Sequence, residues 1–241
     1  YKNGRQQWVE KKMKRMKNEG KIIEFASIRD MLKNSAVEYG DNVAFCTKIK
    51  KNKTVNYINT TYKEMLNQMN EIGTALIEKG FKNKRIAVIG DNSYKWVVSY
   101  FSIVNGVGIG VPLDKGLEKD ELESYIKRSN TELVFYDEKH SSVIEKLFQS
   151  GKTNIKEIVA IDFISEIGSK IEDLLSLGRK LLDAGDRRYL DAEINCDAMS
   201  FLLFTSGTTA ESKAVMLSQK NVMNNLFGMA EFEVFFQKDI N

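Results

Sequence analysis

The sequence is poor in the residues that build disulfide, metal or triad-based sites. Its 241 residues include two cysteines, one histidine and one proline. Cys46 and Cys196 lie far apart and neither has a CxxC partner, so no disulfide framework or zinc site is indicated, and a reducing cytoplasm fits best. We predict that the one histidine, His140, lies at a charged surface position near a helix start, and no Ser/His/Asp triad can be assembled around it.

The chain also lacks a dominant charge. Its 36 basic and 33 acidic residues leave a net charge of +3, which offers no broad field for nucleic acid. The exception is a basic N-terminal extension, residues 1–26, for which we predict a solvated helix face, with an anionic membrane surface as the alternative partner. This extension has no apolar segment of the kind that a signal peptide requires.

One long uncharged run has to be assessed as a candidate transmembrane segment. Residues 96–113 carry no charge over 18 positions. Ser99, Ser102, Asn105, several glycines and Pro112 interrupt the run, and this pattern predicts a helix followed by a strand rather than a transmembrane span.

Local patterns predict the first elements of the fold. Ser27 is placed to cap a helix that ends near Gly40, and two short β-rich runs joined by charged residues predict a hairpin over 43–59. Thr61 and Glu64 have the spacing of a capping box, and the apolar residues that follow keep helical spacing up to Gly80.

From residue 85 onward, short β-rich runs alternate with amphipathic helices. Strands are predicted at 85–90, 108–113, 132–137, 157–162 and 198–204, and helices at 93–105, 118–129, 141–150 and 166–185. This alternation is typical of an α/β fold with a mostly parallel sheet covered by helices on both faces. No repeat or proline-rich linker marks an internal domain boundary.

The last predicted strand leads into a stretch rich in hydroxyl groups. "LLFTSGTTAESKAVMLS" occupies residues 202–218. Hydroxyls, a flexible glycine backbone and a nearby lysine indicate a loop that wraps an anion, most simply a phosphate. The residues predicted to bind it are Thr205, Ser206, Gly207, Thr208, Thr209 and Lys213.

Two familiar phosphate-binding patterns do not fit this chain. A GxxxxGK[ST] loop would need glycine at Ser212 and a hydroxyl at Ala214. A dinucleotide fingerprint would need GxGxxG, whereas residues 106–110 read GxGxG and Pro112 follows where a helix should begin. We interpret that glycine run as a tight passage from helix to strand.

A third pattern matches at greater length. "FTSGTTAESKAVMLSQKN", residues 204–221, resembles the phosphate-binding signature of the AMP-forming acyl-adenylate enzymes, which include acyl-CoA synthetases, luciferases and nonribosomal adenylation domains. "IVNGVGIGVPLDKGLEKDEL", residues 103–122, resembles their second core signature, and residues 62–96 resemble the helix and strand upstream. The resemblance covers about residues 27–230 and is strongest to bacterial long-chain fatty acyl-CoA synthetases.

The resemblance implies a fold, substrates and cofactors. Residues 27–241 are expected to form the first part of the large N-terminal domain, with the hydroxyl-rich loop and Lys213 gripping the terminal phosphates of ATP. Mg²⁺ and CoA are the implied cofactor and co-substrate, and the magnesium ligands are expected outside this chain. No residue of this chain is expected to be catalytic in the strict sense or to ligate a metal.

This chain departs from the family pattern at several positions. Ala210, Ser212 and Ala214 stand where the family usually has glycine, proline and glycine, and Gln219 stands where a histidine commonly follows the serine. If position 210 needs a positive φ, alanine there costs on the order of 1 kcal/mol. The family's adenine-, ribose- and magnesium-binding elements and its mobile C-terminal domain would all lie beyond Asn241, so we expect the chain to be a piece of a longer enzyme.

The function implied is ATP-dependent activation of a carboxylate, most simply a long-chain fatty acid, to acyl-AMP and then acyl-CoA. An adenylating ligase with a non-CoA acceptor, such as a carrier protein, is a second hypothesis, and a non-catalytic nucleotide-binding or interaction module is a third. The expected partners are ATP, a carboxylic acid and CoA, with no nucleic acid. A sheet cut partway exposes apolar edges, so self-association of the isolated chain is also expected.

Overall fold

The structure is a computed structural model that describes residues 25–51, 54–205 and 212–231. Almost all of the basic extension predicted over 1–26 lies outside these residues, as does segment 206–211. The described part contains a two-stranded sheet and a seven-stranded sheet, and helices cover both faces of the larger one.

The predicted N-terminal elements are confirmed. Helix α1, Ile28–Tyr39, begins at Ser27, whose hydroxyl accepts a hydrogen bond from the Asp30 amide at 3.1 Å. Strands β1, Val43–Lys51, and β2, Thr54–Thr61, pair antiparallel as a hairpin. Helix α2, Tyr62–Glu78, begins with the predicted capping box, in which the Glu64 amide donates to Thr61 Oγ1 at 3.2 Å and the Thr61 amide donates to the Glu64 carboxylate at 2.7 Å.

The remaining elements follow the predicted alternation. The strands are β3, Arg85–Ile89; β4, Ile109–Leu113; β5, Leu133–Tyr136; β6, Glu157–Ala160; β7, Ser169–Lys170; β8, Met199–Thr205; and β9, Lys213–Ser218. The helices are α3, Tyr94–Ser102; α4, Lys119–Ser129; α5, Ser141–Ser150; α6, Ile171–Asp183; and α7, Gln219–Glu231. The sheet order is β7-β6-β5-β3-β4-β8-β9, and every neighbouring pair is parallel except β8 with β9.

Alternation along the central strand β3 divides the core into two layers. Ile86 and Val88 face the layer formed with α2, α3 and α6, whereas Ala87 and Ile89 face the layer formed with α4 and α5. All four side chains are fully buried. Burial of a large aliphatic side chain stabilises the fold by about 1.5 to 3 kcal/mol, so a strand that is apolar on both faces is held in the middle of the sheet. The predicted fold class is therefore confirmed.

The glycine run forms the predicted passage from helix to strand, but the helix before it is shorter than the predicted 93–105. Helix α3 ends at Ser102, and a π-helical turn, Ile103–Val107, follows it. Gly106 adopts a φ of 126°, which side-chain-bearing residues rarely tolerate. A Cβ at Gly108 would collide with the backbone carbonyl of Lys84, which accepts the first hydrogen bond of β4 from Ile109.

The prediction of a single helix over 166–185 is wrong at its start. Ser169 and Lys170 form the short edge strand β7, which pairs with Val159 and Ala160 of β6. Helix α6 then begins at Ile171, and the Lys170 amide donates to the Asp173 carboxylate at 2.9 Å. Apolar spacing within the helix carried no information on the two residues that pair with the sheet.

Helices α2 and α6 pack closely where α6 presents a glycine. A Cβ at Gly178 would overlap the backbone of Glu71 in α2. The Glu71 carboxylate is largely buried and pairs with Arg179, with Nε–Oε1 at 2.8 Å and Nη2–Oε2 at 3.3 Å. Glycine at position 178 thus allows the short distance between the two helices across which this ion pair forms.

We expect Gly178→Ala to lower the free energy of unfolding by about 1 to 3 kcal/mol, because the added methyl must push two helices apart. Gly228→Ala in α7 is the matched control, because a Cβ there meets no atom within 4 Å. It should raise stability by about 0.5 to 1 kcal/mol through helix propensity. Urea unfolding of both variants measures the difference, and equal effects would contradict the packing argument.

Candidate functional site

The candidate phosphate loop is carried by the β8–β9 hairpin. Thr205 ends β8 and Lys213 begins β9, and the two residues are registered partners in the antiparallel ladder. The Thr205 hydroxyl lies 3.5 Å from the Lys213 carbonyl oxygen. The pairing brings together both ends of the segment that connects the strands. Ser206, Gly207, Thr208 and Thr209, the other predicted phosphate-binding residues, lie outside the described residues.

The hairpin places the candidate loop at the carboxyl edge of the parallel sheet. Strand β8 runs parallel to β4, with Gly110 and Phe201 as the registered pair. The chain enters the sheet at β3, adds β4 on one side and then returns to add β5 on the other. Ligands of open α/β sheets bind outside the carboxyl ends of the strands near such a reversal of strand order. The sheet topology therefore favours a binding site at the edge where β8 ends.

Lys213 presents an exposed ammonium group beside this loop. Within the described ranges, no carboxylate forms an ion pair with it. An exposed lysine without a carboxylate partner is a suitable group for an anionic ligand, since no existing ion pair must be broken. Together with the Thr205 hydroxyl, it provides a cation and a hydrogen-bonding group that fit a phosphate.

A second cation, Arg128 at the end of α4, contacts the hairpin. Its guanidinium donates to Ser212 Oγ at 3.1 Å through Nη1 and to the Ser212 carbonyl oxygen at 2.7 Å through Nη2. The guanidinium carbon lies 5.4 Å from the ring centroid of Phe204 and 6.0 Å from that of Tyr125. Those two rings stack on each other at 4.2 Å with an interplanar angle of 12°. Sequence reasoning missed Arg128, which is 84 residues from Ser212 in the chain.

Charged residues after β3, β4 and β5 also meet at the carboxyl edge. Asp91 accepts from Lys115 at 2.8 Å and also pairs with Lys139. Hydrogen bonds from these two lysines lower the pKa of Asp91 to about 2. The Asp91 carboxylate thus neutralises cations from two neighbouring loops, which ties the ends of the three strands together.

The prediction for His140 is wrong in its environment. The side chain is 13% exposed rather than a free surface group, and its Nδ1 contacts the Asp137 carboxylate. Its Nε2 lies 3.0 Å from the Lys115 carbonyl oxygen. Asp137 is itself buried and accepts from the Asp91 amide at 2.8 Å. His140 therefore belongs to the network that joins the strand ends, a role that its isolated position in the sequence did not indicate.

Gln219, one of the departures from the family pattern, is fully buried at the start of α7. Its Oε1 accepts from the Ile28 amide at 3.0 Å, and its Nε2 donates to the Val104 carbonyl oxygen at 2.7 Å. The side chain thereby joins α1, the π-helical turn and α7, directly after the strand that starts with Lys213.

The described residues hold no cluster of three or more histidine, cysteine, aspartate or glutamate side chains that could bind a metal ion. Both cysteines carry free thiols. None of the helices that the structure describes combines the length and apolar character needed to cross a membrane.

Comparison with known proteins assigns the family. Residues 32–239 match the family of AMP-binding enzymes. The chain belongs to the AMP-binding enzyme family. The resemblance stated from the sequence is therefore confirmed.

The relatives of this chain include a long-chain-fatty-acid–CoA ligase and a tyrocidine synthase. The chain is 26% identical over 194 residues to long-chain-fatty-acid–CoA ligase 5 of Rattus norvegicus, covering 73% of this chain and 28% of that protein. It is 24% identical over 212 residues to tyrocidine synthase 1 of Brevibacillus parabrevis, covering 85% of this chain and 17% of that protein. This member of the AMP-binding enzymes thus spans less than a third of the length of either relative.

Solved structures of AMP-binding enzymes share the fold. A long-chain-fatty-acid-CoA ligase from Archaeoglobus fulgidus superposes with a TM-score of 0.69 at 17% identity, covering 87% of this chain and 41% of that one. The anthranilate CoA ligase AuaEII superposes with a TM-score of 0.67 at 18% identity, covering 86% and 38%. The α/β architecture is therefore that of the adenylate-forming ligases.

The ion pairs at the carboxyl edge predict a pH dependence. The pKa of Asp91 lies below its ordinary value, so its contribution to stability is complete above about pH 4 and is lost as pH falls towards about 2. Asp91→Asn should therefore reduce the difference in unfolding midpoint between pH 5 and pH 2 relative to the parent chain.

Asp41→Asn provides the control, since this exposed aspartate forms no ion pair with any residue that the structure describes. Denaturant unfolding of the three proteins at both pH values makes the comparison. If Asp91→Asn and Asp41→Asn behave alike, the proposed stabilisation by Lys115 and Lys139 is wrong.

Proposed function

We propose that this chain is the ATP phosphate-binding part of a ligase that activates a carboxylic acid. The carboxylate oxygen attacks the α-phosphorus of ATP, the bond to the β-phosphate oxygen breaks, and acyl-AMP and pyrophosphate form. The CoA thiol then displaces AMP and forms the thioester. Residues 27–241 would supply part of the large N-terminal domain, and the remaining elements would come from a longer protein.

The observation that carries this proposal is the position of Lys213 opposite Thr205. An ammonium without a described carboxylate partner stands at the start of β9, at the carboxyl edge of a parallel sheet in an AMP-binding enzyme. In adenylation the terminal phosphates must be held still while charge develops on the departing pyrophosphate. Thr205, Ser206, Gly207, Thr208, Thr209 and Lys213 are proposed to perform this task.

A long-chain fatty acid is the proposed substrate. Three relatives support it: long-chain-fatty-acid–CoA ligase 5 of Rattus norvegicus, long chain acyl-CoA synthetase 4 of Arabidopsis thaliana and fatty acyl-CoA synthetase A of Dictyostelium discoideum are 26 to 29% identical to the matched part of this chain. Mg²⁺ would balance the phosphate charge, and we expect its ligands outside this chain. We also propose that the protein works in the cytoplasm and that the basic residues of segment 1–26 contact solvent or an anionic membrane surface.

A non-CoA acceptor is the second candidate. Tyrocidine synthase 1 and a chloroplastic long-chain-fatty-acid–[acyl-carrier-protein] ligase match 85% and 87% of this chain. The name of the second protein gives an acyl-carrier protein as the acceptor in place of CoA, whereas the adenylation step proposed here is shared by both candidates. Assay of the longer protein with CoA and with carrier protein separates the two.

The proposal predicts that Lys213→Ala weakens binding of pyrophosphate to the 241-residue chain about tenfold to a hundredfold, the effect of one charged hydrogen bond. Lys220→Ala is the matched control, because it removes the same charge from a lysine of α7 that already pairs with Asp197. Calorimetric titration at two salt concentrations measures both variants. Equal affinities for the parent chain and Lys213→Ala would rule out the phosphate role.

A second prediction is that residues 1–241 alone do not form acyl-AMP. Alignment of the α-phosphate requires anchored adenine and ribose and a bound magnesium ion, and losing these terms together lowers the rate by many powers of ten. Carboxylate-dependent exchange of labelled pyrophosphate into ATP is the measurement. Turnover above that of Lys213→Ala would show that the chain is sufficient for catalysis.

A further inference from the structure

The contacts of Arg128 concentrate on the residue that precedes the candidate phosphate lysine. Two of its guanidinium nitrogens donate to the side chain and backbone of Ser212, at 3.1 and 2.7 Å. The same group lies within cation–π distance of Phe204, the residue before Thr205. Arg128 thus contacts β8 through Phe204 and the residue that precedes β9, on either side of the Thr205–Lys213 pair.

We propose that Arg128 is a positioning residue that fixes the direction in which Lys213 presents its ammonium group to the phosphates. This inference rests on the proposed function of Lys213. By binding the Ser212 carbonyl and hydroxyl together, the guanidinium fixes the backbone directly before Lys213. The stacked pair of Tyr125 and Phe204 supports the guanidinium and links α4 to β8.

The chemistry of the contact requires arginine. A guanidinium is planar and directs its N–H groups in a fixed fork, whereas a lysine ammonium is a point charge on a flexible stem. The adjacent residue, Lys127, pairs instead with Glu123 at 2.6 Å on the same helix. Of these two neighbouring cations, Arg128 is therefore the one that forms hydrogen bonds with a described residue of the hairpin segment.

The sequence also favours an external constraint at Ser212. In the family pattern, proline usually occupies this position, and its ring fixes φ within the backbone itself. Serine has no such restriction, and an unrestrained residue here would let the lysine sample many directions. The two hydrogen bonds from Arg128 restrain the same residue from outside the backbone.

Arg128 could instead bind the anion directly, and the two roles predict different double-mutant behaviour. A positioning residue acts through Lys213, so its removal has no further effect once Lys213 is alanine. A direct ligand acts independently, so its effect persists in the Lys213→Ala background. The variant Arg128→Lys also distinguishes the two roles, because it keeps the positive charge but loses the fixed planar set of N–H donors.

The experiment measures pyrophosphate affinity of the 241-residue chain by calorimetry for the parent, Lys213→Ala, Arg128→Ala, Arg128→Lys, Lys127→Ala and the double variant Arg128→Ala/Lys213→Ala. We expect Arg128→Ala and Arg128→Lys each to weaken binding about tenfold and Lys127→Ala to change it less than about twofold. The double variant should match Lys213→Ala alone. Parent-like affinity in Arg128→Ala, additive losses, or rescue by lysine would overturn the proposal.

Hydrogen exchange of the β9 amides, followed without ligand, provides an independent measurement. Exchange should be faster in Arg128→Ala than in Lys127→Ala, and in Ser212→Ala it should rise partway, because one of the two acceptors is lost. If the parent does not bind pyrophosphate, the proposed function fails, whereas faster exchange in Arg128→Ala alone still supports the restraint of the hairpin. Equal exchange rates in Arg128→Ala and Lys127→Ala would overturn the proposed restraint of the hairpin by Arg128.

Discussion

The fold depends on a buried arginine that pairs with backbone carbonyls instead of a carboxylate. Arg29 of α1 is 6% exposed and donates to the carbonyl oxygens of Asn105, Tyr189, Leu190 and Ala192. Its guanidinium also lies 5.1 Å from the ring centroid of Tyr189. A buried charge is tolerated only when its donors are satisfied, so the first helix, the turn before β4 and the segment before β8 must keep one arrangement. Gln219 adds α7 to the same junction, and the start of the candidate loop is thereby fixed relative to the sheet.

The regular elements were predictable because their signals are local. Ser27, Thr61 and Glu64 are capping residues whose partners lie three positions away, and both caps formed as expected. Burial on both faces of β3 was readable from the apolar run 86–89 that follows Arg85. The strand at Ser169 and Lys170 was not, because two residues carry no periodicity and their pairing depends on β6. The end of α3 was likewise set by tertiary structure, since the π-helical turn accommodates Arg29 and the approach of Gly108 to Lys84.

In the candidate site, too, some residues were predictable from local signals in the sequence and others were not. Thr205 and Lys213 could be named from the sequence because hydroxyls, glycine and lysine lie close together along the chain, and whether they bind phosphate is still a prediction. Arg128 could not, since its contact with Ser212 spans 84 residues and arginine at the end of a helix is common. The environment of His140 was also beyond sequence reasoning, because its partners come from different strand ends that only the sheet order brings together.

The single registered pair between β4 and β8 has a mechanical consequence. Six registered pairs join β8 to β9, whereas Gly110 and Phe201 are the one registered pair that joins the hairpin to β4 among the described residues. Thr205 lies about 14 Å along the strand from Phe201 at about 3.4 Å per residue, so a rotation of about 10° about that pair would move Thr205 by about 2 Å. Such a displacement is comparable to the difference between a hydrogen bond and no contact. The position of the end of the hairpin is therefore set by the few side chains that connect the hairpin to the neighbouring helices.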